Sequence, residues 1–238
     1  MARFCPDGAE EGLMSAAVDA RGLELSYGQT PALRGVDQCI GLGETVALMG
    51  PSGSGKSTLL HCVAGILVPD AGTLNVLGVD ITRMSAASRA RFRLERLGMI
   101  FQLGELVSEL TLAENVMLPL QLLGKTRSQA RAEALDMLTR LSVDDVAGRR
   151  AGEVSGGQAQ RAAVARALAT RPELVLADEP TGSLDTVAAD AVMDALVQTC
   201  RELGSTLLVV THDHRVAAYL DRHVTIRDGR VLVPADTR

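Results

Sequence analysis

The sequence predicts an α/β fold: a mostly parallel sheet with helices on both faces, an antiparallel β flank ahead of it, and an inserted α-helical lobe. Short apolar runs at residues 45–49, 98–101, 174–177 and 206–210 recur between helical stretches with no polar alternation, as strands buried on both faces do. Residues 103–151 carry no such run and are rich in helix formers, so the texture changes in the middle of the α/β pattern. A chain of 238 residues, 47% hydrophobic, suffices for one sizeable domain with an attached lobe.

In chain order, the opening MARFCPDGAEEG is loose in composition and lacks the apolar core of a secretory signal, so residues 1–20 are expected to be a flexible tail. A single domain is expected over 21–233, with its α/β core at about 21–102 and 171–233 and its helical part at about 103–170. Residues 22–26 and 36–40 read as the more exposed strands of the antiparallel flank, joined by a turn-rich segment through Gly28 and Pro31. After the buried strand 45–49 a helix is expected over 58–64, then a basic, solvated helix over 83–96 and a strand over 98–101. Residues 111–124 read as a helix. In a helix over 128–141, Ala130, Ala134, Leu135, Leu138 and Leu141 can share one face. A further helix is expected from Ser155 to about Thr170. Buried strands follow at 174–177 and 206–211, and Asp228-Gly229 between the runs 223–226 and 231–233 signals a hairpin.

Lys plus Arg total 24 against 29 Asp plus Glu, a formal charge of -5, which is the wrong sign for a protein that lives on nucleic-acid phosphate; no nucleic-acid partner is expected. Apolar stretches such as 203–210 fall far short of the roughly 20 residues that cross a bilayer as a helix, so the chain itself is not expected to span a membrane and should stay in the cytosol. Cys5, Cys39, Cys62 and Cys200 are scattered, without a CxxC pair or a histidine spaced for zinc, and are read as thiols without chemistry.

Gly50, Pro51, Ser52, Gly53, Ser54, Gly55, Lys56, Ser57 and Thr58 form the strongest motif. GxxxxGK(S/T) directly after an apolar strand and directly before a helix is a phosphate-binding loop. Its glycines let backbone N–H groups wrap a triphosphate, and the helix start adds partial positive charge. Lys56, one of only two lysines with Lys125, supplies a compact charge to the outer phosphates, and the Ser57 hydroxyl can ligate Mg²⁺. The strand 174–177 delivers Asp178 and Glu179 at its carboxyl end, the edge of a parallel sheet where ligands bind. Alone, such a pair is equally an ordinary helix cap. Beside the phosphate loop, Asp178 reads as the residue that holds Mg²⁺ through water, and Glu179 as the one that orients or deprotonates the attacking water. His212, at the end of the strand 206–211, could contact a γ-phosphate or hold that water; a lone histidine there is more often structural.

Val154-Ser155-Gly156-Gly157-Gln158, followed by AQRAAVARALATRPELVLADEP, resembles the signature region of the ATP-binding cassette family, and the resemblance extends over about residues 22–229. Val154 stands where that family more often has Leu, which keeps an apolar anchor. The resemblance implies a P-loop NTPase core of the RecA-like type with an inserted helical signature subdomain, ATPase activity, and ATP and Mg²⁺ as cofactors. It implies that Tyr27 stacks on adenine, that Gln102 joins Mg²⁺ and the water to the helical lobe, and that His212 is the switch histidine. Ser183-Leu184-Asp185 is similar to the loop that communicates across the dimer. Ser155, Gly156, Gly157 and Gln158 would contact the ATP of a partner subunit, because exposed amides at a helix start form a second anion site and two copies can clamp two nucleotides head to tail.

Residues 91–120 are similar to the subgroup that drives lipoprotein-releasing, macrolide-export and FtsX-type permeases. That implies a homodimer bound peripherally on the cytoplasmic face of the plasma or inner membrane, soluble when expressed alone, with a separate transmembrane permease whose cytoplasmic helix would be received by residues 103–120. The alternative is a cytoplasmic regulatory ATPase of the same family, division-linked or otherwise, with no transported substrate. A GTPase is disfavoured by the lack of an NKxD base-reading motif.

Overall fold

The computed structural model describes residues 16–102 and 105–232. Along the chain run β1 (Ala16–Tyr27), β2 (Thr30–Gly41), β3 (Thr45–Met49), α1 (Lys56–Val63), β4 (Ala71–Val76), β5 (Val79–Asp80), α2 (Ala86–Arg96) and β6 (Leu97–Ile100). They are followed by α3 (Leu112–Leu122), α4 (Arg127–Arg140), α5 (Gly156–Leu168), β7 (Leu174–Asp178), α6 (Thr186–Leu203), β8 (Thr206–Val210), α7 (His214–Ala217), β9 (Arg222–Arg227) and β10 (Arg230–Leu232). The chain packs as two compact units, one comprising the described residues up to Ala90 and from Val210, the other Arg91–Val209.

In the first unit, β1 pairs antiparallel with β2 and with β4, and the flank is a four-stranded sheet ordered β2-β1-β4-β5. Ala16, Ala17, Val18 and Ala20 are buried in it, with Val18 set between Ile40 and Val76. The expected tail over 1–20 is therefore corrected at its end, where a strand starts at Ala16; residues 1–15 lie outside the described residues. The run AAVDA has few branched or aromatic side chains, which hides its strand character from propensity. Also unanticipated is β4, whose Gly72 takes a φ of 92° and runs so close to β1 that a Cβ there would lie 2.5 Å from the Gly22 carbonyl oxygen.

β3 is buried throughout and pairs in parallel with β9. Asp221 fixes the start of that pair: its carboxylate accepts from the Thr45 amide at 3.0 Å and the Thr45 hydroxyl at 2.9 Å. β9 turns through Asp228-Gly229 into β10, as the hairpin signal predicted; Val233, expected in the last strand, lies outside the described residues. Leu23, Leu33, Ile40, Leu48, Leu60 and Leu74 are fully buried here. Cys39 is disulfide-bonded, a correction to the expectation of four thiols, while Cys62 and Cys200 are free and buried.

In the second unit β6 pairs in parallel with β7, which lies between β6 and β8. The packing groups β6, β7 and β8 with the helices of this unit. Gly98 of β6 meets α5 so closely that a Cβ would lie 2.6 Å from the Ala167 carbonyl oxygen, and the Glu173 amide donates to the Arg96 carbonyl at 3.0 Å. Strand and helix backbones at such distances form one body. On α4 the buried face is Ala130, Ala134, Met137 and Leu138, continued by Leu141; Leu135, expected there, is only half-buried, because it sits about 100° around the helix from Ala134. Ile100, Leu112, Leu120, Leu138, Leu141 and Leu168 are among the large, fully buried side chains. The expected basic helix is real over Ala86–Arg96, and two of its arginines are in ion pairs, Arg91 with Glu95 at 2.7 Å and Arg96 with Glu173 at 2.6 Å, while Arg89 donates to the Gly65 and Met84 carbonyls.

Candidate functional site

In the first unit the phosphate loop leaves β3 in a conformation that only glycine permits. Gly50 has a φ of 147°, and a Cβ there would fall 2.0 Å from the Ile226 carbonyl oxygen; Gly55 has a φ of 103°, with the Ala32 carbonyl oxygen 2.5 Å from a Cβ. The chain thus turns tightly between its neighbouring strands, pinned by the Gly229 amide, which donates to the Ser54 carbonyl at 3.0 Å. Lys56 is buried, and its Nζ donates to the carbonyls of Gly50 at 2.9 Å and Pro51 at 2.8 Å. Two of the ammonium's three N–H groups span the loop, which sets its charge at the loop's centre. Helix α1 starts from Gly55, an N-cap with no side-chain acceptor, and an anion is the natural complement of such a start.

Ser54 is buried, and its Oγ has no hydrogen-bond partner. A buried hydroxyl left without a partner is costly, and inside a phosphate loop it marks a place made for a polar ligand. Pro51, Ser52 and Gly53 are exposed; Gly50, Gly55, Ser57 and Thr58 are half-buried.

Tyr27 ends β1, pairs with Thr30 across the turn and is 55% exposed, a large ring left in water in a chain with only two tyrosines and no tryptophan. Thr211 donates its amide to the carbonyl of Leu48 in β3 at 3.1 Å, which places the exposed His212 one residue from the strand that feeds the phosphate loop. Asp213 accepts from the Arg215 amide at 2.8 Å and its guanidinium at 2.9 Å. Those bonds hold its carboxyl below the usual carboxylate value, with the side-chain bond to Arg215 the largest cause.

In the second unit Leu174–Ala177 are buried and Asp178 closes β7. Glu179 then takes a left-handed φ of 47°, a conformation that costs a non-glycine residue and is found where a side chain must be aimed. The reversal is closed by the Gly182 amide, which donates to the Glu179 carbonyl at 3.1 Å. This turn meets Gln102: a Cβ on Gly182 would lie 2.9 Å from the Gln102 Nε2, and Ser183 Oγ donates to the Gln102 carbonyl at 3.5 Å. The structure therefore brings Gln102 against the turn that follows Asp178 and Glu179. Asp185 serves as the N-cap of α6, accepting from the Ala188 amide at 2.9 Å.

The signature begins α5 with a capping box. Ser155 Oγ accepts from the Gln158 amide at 3.3 Å, and Gln158 Oε1 accepts from the Ser155 amide at 3.0 Å. The box uses the first and last of these four amides and leaves those of Gly156 and Gly157 in the open first turn. Ser155 and Gly156 are exposed, Gly157 and Gln158 half-buried. The glycines also let the turn sit on α6: a Cβ on Gly157 would lie 3.1 Å from Ala188 Cβ, and one on Gly156 would lie 3.4 Å from Leu184 Cδ2.

Sequence reasoning missed three residues here. Gln160 is buried and donates to the Phe101 carbonyl at 3.2 Å; Arg166 donates to the Glu105 carbonyl at 2.8 Å; and Gly182 abuts Gln102. The available signal was two polar residues interrupting the alanine-rich stretch of α5.

A family model described as ABC transporter matches residues 33–182. The chain is 45% identical over 215 residues to the lipoprotein-releasing system ATP-binding protein LolD 2 of Caulobacter vibrioides, covering 89% of this chain and 94% of that protein. It is 44% identical over 212 residues to the lipoprotein-releasing system ATP-binding protein LolD of Porphyromonas gingivalis, covering 89% and 97%. Its fold is similar, with a TM-score of 0.84 and 34% identity over 93% of this chain and 99% of the other, to the dimeric structure of a post-hydrolysis state of the ATP-binding cassette MJ0796 bound to ADP and Pi. The chain belongs to the ABC transporter family, as an ATP-binding subunit and an ATPase.

Proposed function

We propose that this ABC ATPase acts as a homodimer that closes on two ATP molecules and drives a separate membrane permease of the FtsX/MacB-like kind, in a system for lipoprotein release like those for which its relatives are named. The observation that carries the reading is the exposed start of α5, where the capping box leaves the amides of Gly156 and Gly157 in an open turn. With the phosphate loop, one chain then carries two anion-binding helix starts, and a head-to-tail pair uses both.

In this reading residues 50–58 hold the triphosphate of one ATP and Tyr27 stacks on its adenine, while Ser155, Gly156, Gly157 and Gln158 reach the ATP of the partner subunit. Lys56 turns its remaining N–H towards the outer phosphates, and the Ser54 hydroxyl finds its acceptor there. Ser57, Gln102 and, through water, Asp178 would hold Mg²⁺. Hydroxyl, amide and carboxylate oxygens are hard donors that fit this ion. Magnesium, when bound, neutralises phosphate charge. Glu179, aimed by its left-handed backbone, orients or deprotonates the water, Gln102 positions it, and His212 supports the γ-phosphate side. Asp185 lies in the loop that senses the partner. Among the described residues no helix is long and apolar enough to cross a membrane, in keeping with a peripheral place on the cytoplasmic face, held by the permease.

Glu179→Gln tests the reading. Removing a general base lowers turnover by about 10²–10⁴-fold while sparing binding, so the variant should give an ATP-stabilised dimer in light scattering with hydrolysis nearly abolished. A variant that stays monomeric at saturating MgATP overturns the sandwich.

A further inference from the structure

We propose that Gln160 and Arg166 are positioning residues that fasten the segment carrying Gln102 to the signature helix, so that the start of α5 and Gln102 move as one piece. The inference rests on the reading of Gln102 as a residue of the hydrolytic site. Its geometric basis is a bracket: Gln160 Nε2 donates to the Phe101 carbonyl at 3.2 Å, immediately before Gln102, and Arg166 Nη1 donates to the Glu105 carbonyl at 2.8 Å, shortly after it. Both donors project from α5, whose first turn is the signature. Glu105 takes a left-handed φ of 42°, a strained backbone that persists only where its surroundings hold it.

The two donors sit where their bonds matter. Gln160 is 3% exposed, and an amide so buried must be satisfied. Burial lowers the pKa of the Arg166 guanidinium, so keeping its charge there calls for compensating acceptors. Through Gly182 and Ser183, Gln102 also touches the turn after Glu179. The first turn of α5 packs on Leu184 and Ala188 of the same loop-and-helix segment. The contacts close into a ring: signature turn, 184–188 segment, 179–183 turn, Gln102, and back to α5 through Gln160 and Arg166. A force on the amides of Gly156 and Gly157 then reaches the residues that flank Gln102 along α5 and its two hydrogen bonds.

The test is a double-mutant cycle, because coupling appears there as non-additivity. ATPase kcat and KM are measured for Gln160→Met and Arg166→Met in the wild-type and Gln102→Ala backgrounds. Coupling predicts that each substitution lowers kcat by about 5–20-fold in the wild-type background with KM for ATP within about 2-fold, and by less than about 2-fold once Gln102 is gone. Arg166→Lys, which keeps a donor, should recover most of the loss. A residue with only a structural role would cost the same factor in both backgrounds, and that result, or an unchanged kcat, overturns the inference. If Gln102→Ala itself leaves kcat unchanged, the reading of Gln102 falls and the inference falls with it. If Gln102→Ala lowers kcat but the losses multiply, the inference alone is lost. Should the methionine variants fail to fold, Gln160→Glu, which exchanges donor for acceptor at constant shape, is measured in the same two backgrounds and judged by the same comparison.

Discussion

Cys62 and Cys200 illustrate how a buried side chain loses its chemistry. Burial is the largest cause that raises each thiol from 9.0 to about 12, with the Asp70 charge adding to it at Cys62. Only the thiolate attacks, so iodoacetamide at pH 8 should leave both unmodified in the native chain and label both in guanidinium; labelling of the native protein, read by mass spectrometry, would contradict this. The folded chain keeps these protons to higher pH than the unfolded one, so their contribution to stability is whole below about 9 and falls as pH climbs towards about 12. At the same scale Ser54 is one variable letter of the phosphate-loop motif, and Gly182 belongs to no motif. The first matters through an unpartnered buried hydroxyl and the second through its contact with Gln102, facts that arise only when distant residues converge.

Helix starts are the most legible elements of this chain. Thr111 with Glu114, Thr126 with Gln129 and Ser155 with Gln158 each form a capping box at the start of a helix. Ser155→Ala removes one acceptor from the start of α5 and should cost about 1 kcal/mol of stability, seen as a lower urea midpoint at unchanged slope; no shift would mean that the box is not holding the turn. Strands with weak propensity were harder to read. β1 begins with small residues and β4 contains Gly72, so their strand character comes from pairing with each other rather than from their own side chains. The face of α4 was nearly right in sequence, and the difference of Met137 for Leu135 is a matter of angle around the helix.

For the molecule as a whole, the phosphate loop belongs to one compact unit and the signature to the other. A two-fold pair that crosses loop with signature makes a complementation prediction. Lys56→Ala and Ser155→Arg should each abolish ATP hydrolysis as homodimers. Mixed, they should recover activity, because a heterodimer keeps one wild-type loop facing one wild-type signature. No recovery on mixing, with heterodimers present by native mass spectrometry, would argue against crossed sites.

By itself the sequence determined the phosphate loop, the carboxylates after a buried strand, the signature and the family, because each depends on local spacing that a few adjacent residues enforce through backbone geometry. Only the tertiary structure decided that β6, β7 and β8 pack with the helices, that a strand starts at Ala16, and that Gln102 is gripped between α5 and the turn after Glu179. Those arrangements are made by hydrogen bonds and close backbone contacts between residues tens of positions apart, and no local pattern encodes which distant carbonyl a buried Gln160 or Arg166 will reach.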